Sequence, residues 1–380
     1  MTEVPGKPVA IGIIGAGVIS EVYLRNLSTR FPQAKAVAIA DLLTERAQAR
    51  ADQFGIKSYS VDEILEADDV DLILNLTIPA AHGDIALKAI AAGKSVFNEK
   101  PLAITREQGK EMLVAAKAKG VRVGGAPDTF LGGGLQTCRQ LIDAGAIGTP
   151  VAAAGLMLGH GMESWHPDPY FFFQPGAGPL FDIGPYYLTA LTSILGPVKR
   201  VSAFGRASFP ERIVGSGPKQ GERIPVNTPT HIVGSLEFAS GVLGTLTQSF
   251  DVWETNASTL VIYGTSGTMR LPDPNTFGGP IQILDRSNRA LPPTGEVKFG
   301  RRDDDKDWEE APLTFDNTDN SRGLGVADLA LGLQTGKPHR ASGEMAYHVL
   351  DIMLSLLESA ESNGHVTIES TMERPAPIDW

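Results

Sequence analysis

The sequence predicts two units of different class: a doubly wound α/β domain over residues 1–127 and an α+β domain with a large, mostly antiparallel open sheet over residues 128–380. Three observations carry this. The first 126 residues alternate apolar runs with amphipathic stretches, the order that builds a parallel sheet covered on both faces. After about residue 128 the runs become short strands, several of them separated by turn signals such as "ASG" and "GTSG". The chain has 380 residues, and single cores usually stop growing beyond roughly 250–300 residues.

In the first unit, strands are expected at "PVAIGII", "AVAIA", "VDLILNL", "KSVF" and "VRVGGA", whose unbroken apolar character suits strands buried on both sides. Between them, Ile19, Val22, Tyr23 and Leu27 share one helical face, and Ile85, Ala89 and Ala92 share another. "SVDE" (Ser60 to Glu63) and "TREQ" (Thr105 to Gln108) have capping-box spacing, and Gly120 supplies a stop for the helix that follows the second.

In the second unit, Leu135, Cys138, Leu141 and Ile142 lie on one face of a helix that ends near Gly145. Strands are expected at "VAAAGLML", "VKRVSAFG", "HIVGSLEFA", "GVLGTLTQSF", "STLVIYG" and "TMRLP". The stretch Pro210 to Pro229, rich in proline, glycine and mixed charge, reads as a long surface loop, and "RRDDDKDWEE" from Arg301 as a solvated loop rather than a metal site. A closing helix spans about Gly343 to Ser362, and the C-terminal segment is free to pack back on the first unit.

Composition narrows the function. A formal charge of −11 and a pI near 5.2, with no basic block, exclude nucleic acid as an expected partner. No run approaches 18 apolar residues, and "MTEVPGKPVA" lacks the apolar core of a signal peptide. One cysteine, Cys138, forms no internal disulfide. A cytoplasmic protein is expected.

"GIIGAGVIS" falls between the first strand and the first helix, where a dinucleotide fold needs glycines. Gly15 permits the tight turn, and Gly17 lets a pyrophosphate approach the N–H groups of Val18 and Ile19 at the helix N-terminus. The third fingerprint position is Ser20 instead of glycine. Asp41 ends the second strand, 24 residues after Gly17, where a carboxylate can accept from both ribose hydroxyls and repel a 2′-phosphate. No arginine or serine follows directly, so NAD is expected rather than NADP; the alternative is that Asp41 only caps the next turn.

Four pieces now stand in order: "GIIGAGVIS", "NLTIPAAH", "NEKPLA" and "GPLFDIGPYYLTAL". Together they resemble the glucose-fructose oxidoreductase, inositol dehydrogenase and rhizopine-catabolism (Gfo/Idh/MocA) family over essentially the whole chain. The resemblance implies a Rossmann domain, a second domain whose open sheet often joins copies into a dimer or tetramer, and hydride transfer between NAD(P) and a carbon of a sugar, glycoside or polyol. It implies that Thr77, Pro79 and His82 line the nicotinamide half of the cofactor, that Glu99 lies near the nicotinamide ribose, and that Lys100 is the catalytic lysine and also borders the cofactor. It assigns Asp182 and Tyr186 to the family's acidic and proton-transfer positions; many relatives carry histidine at the latter. Trp165 matches a tryptophan that relatives place near the nicotinamide, and His166 stands where some carry arginine. Asp128 and Phe130, in "PDTFLGGG", are further substrate-side candidates in a stretch that departs from the family's arginine-containing pattern.

The chemistry agrees with these residue types. Oxidising an alcohol requires a group that takes the hydroxyl proton as the hydride leaves. Free lysine and tyrosine titrate near ~10.4 and ~10, so either must be tuned by burial or neighbours. Whether Lys100 or Tyr186 takes the proton is open from sequence. His160 and His166 have no third ligand at metal-site spacing, so no metal is expected. Two other classes compete with a dehydrogenase: an NAD-retaining glycosidase, whose family members tend to lack the lysine of "EKP", and a non-catalytic NAD-binding regulator.

Overall fold

The computed structural model describes residues 6–166, 168–287 and 307–380. Strands β1 (Val9–Ile14), β2 (Ala34–Ala40), β3 (Lys57–Tyr59), β4 (Leu72–Asn75), β5 (Ser95–Asn98) and β6 (Val123–Gly125) form one parallel sheet in the order β3-β2-β1-β4-β5-β6. Strand order reverses between β1 and β4, which opens a crevice beyond their carboxyl ends. All six residues of β1, and all four of both β4 and β5, are buried, which is why they read as apolar runs. β3 has no such run: its three residues sit at the sheet edge, and none is buried.

Helices α1 (Ser20–Thr29), α2 (Thr44–Phe54), α3 (Val61–Glu66), α4 (Pro79–Ala91) and α5 (Arg106–Lys119) connect these strands. Ser60 and Glu63 cap α3 reciprocally, as their spacing predicts. At α5 only half of the box forms: Thr105 accepts the Gln108 N–H, and Gly120 ends the helix at φ 69°. Tyr23 and Leu27 are buried beneath α1, with Ile19 and Val22 packed partly buried beside them. Ala92 does not share the buried face of Ala89, because α4 ends at Ala91 and Ala92 is already its exposed cap.

The second sheet runs β16-β15-β14-β13-β7-β12-β11-β8-β17. It comprises β7 (Pro150–Leu158), β8 (Val198–Arg206), β11 (His231–Phe238), β12 (Leu243–Ser249), β13 (Leu260–Gly264), β14 (Gly267–Leu271), β15 (Ile281–Asp285), β16 (Glu309–Ala311) and β17 (Val366–Thr367). Its ladders are antiparallel except where β12 meets β7. The stretch 210–229 corrects the surface-loop expectation: it folds into a hairpin of β9 (Glu211–Ile213) and β10 (Arg223–Pro225). Arg212 is buried there, paired with Glu163 and Asp251. Of the acidic run from Arg301, residues 301–306 lie outside the described residues, and Glu309–Ala311 is the edge strand β16.

α6 (Gly133–Asp143), α7 (Gly178–Asp182), α8 (Gly184–Leu195), α9 (Leu324–Thr335) and α10 (Gly343–Ser362) complete the fold. α8 and α10 cover one face of the second sheet, where Tyr187 packs over Gly155 and Leu356 over Gly234. The other face leaves Phe204, Val233, Leu243 and Tyr263 exposed. α9 packs on β1, β2 and β6, and α10 on α5 and β6, so the C-terminal stretch spans both sheets. Among the described residues, no helix is long and apolar enough to cross a membrane, and no cluster of three or more His, Cys, Asp or Glu is placed to hold a metal ion.

Candidate active site

β1 turns into α1 through Gly15, Ala16 and Gly17. Gly15 has φ +109°, and a Cβ there would stand 2.6 Å from the Leu76 carbonyl oxygen, so the turn admits only glycine. At Gly17 a Cβ would meet nothing within 4 Å: this position faces open space. Ser20 is buried and donates its hydroxyl to the Gly17 carbonyl at 2.7 Å, so the small side chain that replaces glycine braces the turn. Neither Ile19 before α1 nor Ile78 before α4 caps its helix with a side chain, which leaves first-turn N–H groups for an anion.

Asp41 reaches the same turn. One carboxylate oxygen accepts the Ala16 N–H at 2.7 Å and the other the Leu43 N–H at 2.8 Å. It therefore caps the following turn and is anchored beside the glycine loop, with acceptor capacity left on both oxygens. Val18, Leu42 and Ile78 are 94%, 90% and 70% exposed at the ends of β1, β2 and β4. Bare apolar side chains along a crevice mark a surface that a ligand covers. The open glycine, uncapped helix starts, anchored carboxylate and apolar rim fit a dinucleotide.

"NLTIPAAH" and "NEKPLA" are tied together below this rim. His82 is buried, its Nδ1 2.6 Å from the Pro101 carbonyl and its Nε2 3.0 Å from the Thr77 carbonyl. Asn75 donates to Asn98 Oδ1 at 3.0 Å, and the Thr77 hydroxyl donates to Asn75 Oδ1 at 2.7 Å. Thr77 and Pro79 remain half-buried at the edge. The Lys100–Pro101 peptide is cis.

Lys100 projects across to the second unit. Its ammonium donates to Asp182 Oδ1 at 2.8 Å and to the Asp182 carbonyl at 2.7 Å, and lies 5.4 Å from the centre of the Tyr186 ring. Glu99 accepts the Lys100 backbone N–H at 2.9 Å and the Tyr23 hydroxyl at 2.8 Å. Asp182 closes α7 and Tyr186 stands in the first turn of α8, so the break between these helices aims both at one point. Burial pulls the Lys100 pKa down, but the charges of Asp182, Tyr186 and Glu99 and the Asp182 hydrogen bond outweigh it and hold the ammonium above its ordinary value. For Tyr186, burial raises the pKa, Lys100 lowers it, Glu99 raises it and Arg322 lowers it, with a net rise.

The structure thus brings together Glu99, Lys100, Asp182 and Tyr186, and adds Tyr23 and Arg322, for which sequence reading assigned no role. Arg322 acts on Tyr186 through its charge, while its guanidinium donates to Asn320 Oδ1 at 3.0 Å and to Asn275 Oδ1 at 3.3 Å. Asp128 sits apart from open space: it is 2% exposed, and its Oδ2 accepts the N–H groups of Gly323 and Gly325 at 2.9 and 3.0 Å. Phe130 is equally buried, in the core. Trp165 is 62% exposed and packs edge-on to His166 at 5.5 Å, and His166 meets the edges of Phe171 and Phe172.

Two family models match the chain. "Oxidoreductase family, NAD-binding Rossmann fold" matches residues 9–125, and the "GFO/IDH/MocA C-terminal domain" matches residues 135–270, together more than half of the chain. The scyllo-inositol 2-dehydrogenase (NAD(+)) of Bacillus subtilis is 30% identical over 52% of this chain and 57% of that protein. The inositol 2-dehydrogenase of Ralstonia nicotianae is 34% identical over 37% of this chain and 43% of that protein. The match spans about half the length of these curated relatives. Levoglucosan dehydrogenase from Pseudarthrobacter phenanthrenivorans is 27% identical over 68% of this chain and 72% of that protein. The solved apo form of a levoglucosan dehydrogenase superposes with a TM-score of 0.80 at 23% identity, covering 97% of this chain and 100% of that one. With both family models matched in order along one chain, on a fold that this solved structure shares, the protein belongs to the Gfo/Idh/MocA family of NAD-binding oxidoreductases.

Proposed function

We propose that the protein is an NAD-dependent dehydrogenase or reductase that moves a hydride between nicotinamide and a CH–OH carbon of a sugar, glycoside or polyol. The observation that carries this reading is the doubly bonded Lys100 ammonium, set between Asp182 and Tyr186 in a crevice that fits a dinucleotide. Relatives named for inositol, 1,5-anhydro-D-fructose and levoglucosan act on hydroxylated rings, which supports this substrate class.

Residues 1–127 hold the cofactor in this reading and 128–380 the substrate. Gly15, Gly17, Val18 and Ile19 face the pyrophosphate, Asp41 the adenosine ribose, and Thr77, Pro79, Glu99 and Trp165 the nicotinamide half. His82 braces Thr77 against Pro101 from beneath. Asp41 disfavours a 2′-phosphate, so NAD is preferred over NADP. When bound, nicotinamide supplies the hydride acceptor or donor.

Lys100, held as a cation, polarises the reacting oxygen and is not the base. Tyr186 takes the hydroxyl proton during oxidation and returns it during reduction, and Asp182 orients Lys100 and a substrate hydroxyl. Trp165 and His166 contact the sugar face, while the buried Asp128 and Phe130 support the site from behind. The exposed face of the second sheet joins copies of the chain, and a single buried Cys138 suits the cytoplasm. The test is a panel of sugars, polyols and glycosides incubated with NAD and followed by NADH absorbance. Reduction of NAD by at least one of them is expected, and no change with any would overturn the reading.

A further inference from the structure

We propose that Tyr23 is a positioning residue for the nicotinamide half of the cofactor, holding the Glu99 carboxylate in place from the helix that follows the glycine loop. This rests on the reading of Glu99 as a residue that faces that half.

Glu99 is fixed from three sides. Its backbone N–H donates to the Asn75 carbonyl at 2.9 Å, which ties the end of β5 to the end of β4. One carboxylate oxygen accepts the Lys100 N–H at 2.9 Å and the other accepts the Tyr23 hydroxyl at 2.8 Å. An ionised carboxylate has about four acceptor positions over its two oxygens, so each oxygen keeps a free one. Those positions suit the two neighbouring hydroxyls of a ribose, and Glu99 is only half-buried, within reach of a ligand in the crevice. The bond from Lys100 comes from the adjacent residue, and alone it leaves the other oxygen free to swing. Tyr23, 76 residues earlier in the chain, is what fixes that oxygen.

Packing alone does not account for a tyrosine here. The side chain is fully enclosed in the core with Leu24 and Leu27, where phenylalanine would fill the same space apart from the hydroxyl. A buried phenol needs a hydrogen-bond partner, and Glu99 supplies it. The position in α1 matters as well. Ser20, the first residue of this helix, braces the glycine turn through the Gly17 carbonyl, and Tyr23 follows one turn later. In the proposed reading, one turn of helix therefore holds both the loop that faces the pyrophosphate and the carboxylate that faces the nicotinamide half. The helix is locked in turn by the buried Asn26, whose amide donates to the carbonyls of Asn320 at 2.9 Å and of Arg322 at 2.8 Å. Tyr23 thus reaches Glu99 from a helix that is itself anchored at two further points.

The test separates this role from packing. Isothermal titration calorimetry measures the binding of NADH and of ADP to wild type, Tyr23→Phe and Glu99→Ala. ADP carries the adenosine and the two phosphates but lacks the nicotinamide ribose. Tyr23→Phe is expected to raise the NADH Kd by roughly 3- to 10-fold and to leave the ADP Kd within about twofold of wild type. A merely structural role in α1 would loosen the glycine turn and weaken both ligands together. That result, or an unchanged NADH Kd in folded Tyr23→Phe, overturns the inference. If the phenylalanine variant does not fold, Tyr23→Met, which is apolar and has no donor, carries the same expectation and the same refutation. The reading of Glu99 fails separately: Glu99→Ala that binds NADH as tightly as wild type would refute it. Weakened NADH binding in Glu99→Ala beside unchanged binding in Tyr23→Phe refutes the role of Tyr23 alone.

Discussion

The Lys100 ammonium donates to both the side-chain carboxylate and the backbone carbonyl of Asp182, at 2.8 and 2.7 Å, and so joins the end of β5 in the first sheet to the end of α7 against the second. The side chains of Lys100 and Asp182 are 18% and 17% exposed, enough for a ligand to reach them and too little for water to screen them fully. A second cation, Arg322, acts on Tyr186 through its charge from a loop more than a hundred residues further along the chain. The site is therefore assembled only when the two sheets meet.

In the proposed reading, Asp41 carries the cofactor preference. Its carboxylate is already placed by the Ala16 and Leu43 N–H groups. Asp41→Ser is expected to weaken NADH binding by roughly 10- to 100-fold, since hydrogen bonds to a charged group contribute about 1.5–3 kcal/mol. Binding of NADPH is expected to change less or to improve. Fluorescence titration of both cofactors checks this; tighter NADPH than NADH binding by the wild type would contradict the assignment.

Arg212 fixes the loop that carries Trp165. It is 6% exposed and bonds Glu163 Oε1 at 2.8 Å, the Phe250 carbonyl at 2.7 Å and the Asp251 carboxylate. Arg212→Met leaves two buried carboxylates without their cation, which costs roughly 3–5 kcal/mol. Urea unfolding should report that loss. Because Glu163 lies two residues before Trp165, the substrate KM should rise more than the NAD KM.

Asp128 sets a pH dependence of stability. Burial pushes its pKa up to about 6, against the bonds from Gly325 and Gly323 and the nearby Arg322, which lower it. The folded state then holds a proton more tightly than the unfolded chain between about pH 4 and 6. This contribution is fully present below the unfolded value near ~3.9 and is lost as pH rises through the folded one. Asp128→Asn cannot ionise, and its amide oxygen can accept both glycine N–H groups. Relative to wild type, it should gain up to roughly 2–3 kcal/mol of stability between pH 4 and 7, at 1.36 kcal/mol per pKa unit. Thermal unfolding of both proteins across this range decides it; a constant difference would contradict the account.

Much of the first sheet is legible in sequence because its strands are buried on both faces and read as uninterrupted apolar runs. The helix starts at Ser60 and Thr105 are equally legible, since a cap is a local pattern of four residues. What escapes is what long-range pairing creates. β3 exists because it lines up beside β2, not because Lys57, Ser58 and Tyr59 favour a strand. Arg212 looks like a loop charge until Glu163 and Asp251, 49 and 39 residues away, enclose it. Asp128 resembles a pocket residue in sequence, yet its partners lie 195 and 197 residues further on, where it braces the Arg322 loop. Lys100 and Asp182 each lie in a recognisable motif, but that they share two hydrogen bonds is a property of the assembled sheets.

In the proposed mechanism Lys100 serves the chemistry and is dispensable for cofactor retention. Lys100→Ala, assayed by NADH absorbance with the best substrate from the sugar and polyol panel and by NADH titration, tests it most directly. Turnover should fall by roughly 10²–10⁴-fold while the NADH Kd stays close to that of wild type. Near-normal turnover in a folded Lys100→Ala protein, or loss of NADH binding in parallel with activity, would refute this role for Lys100.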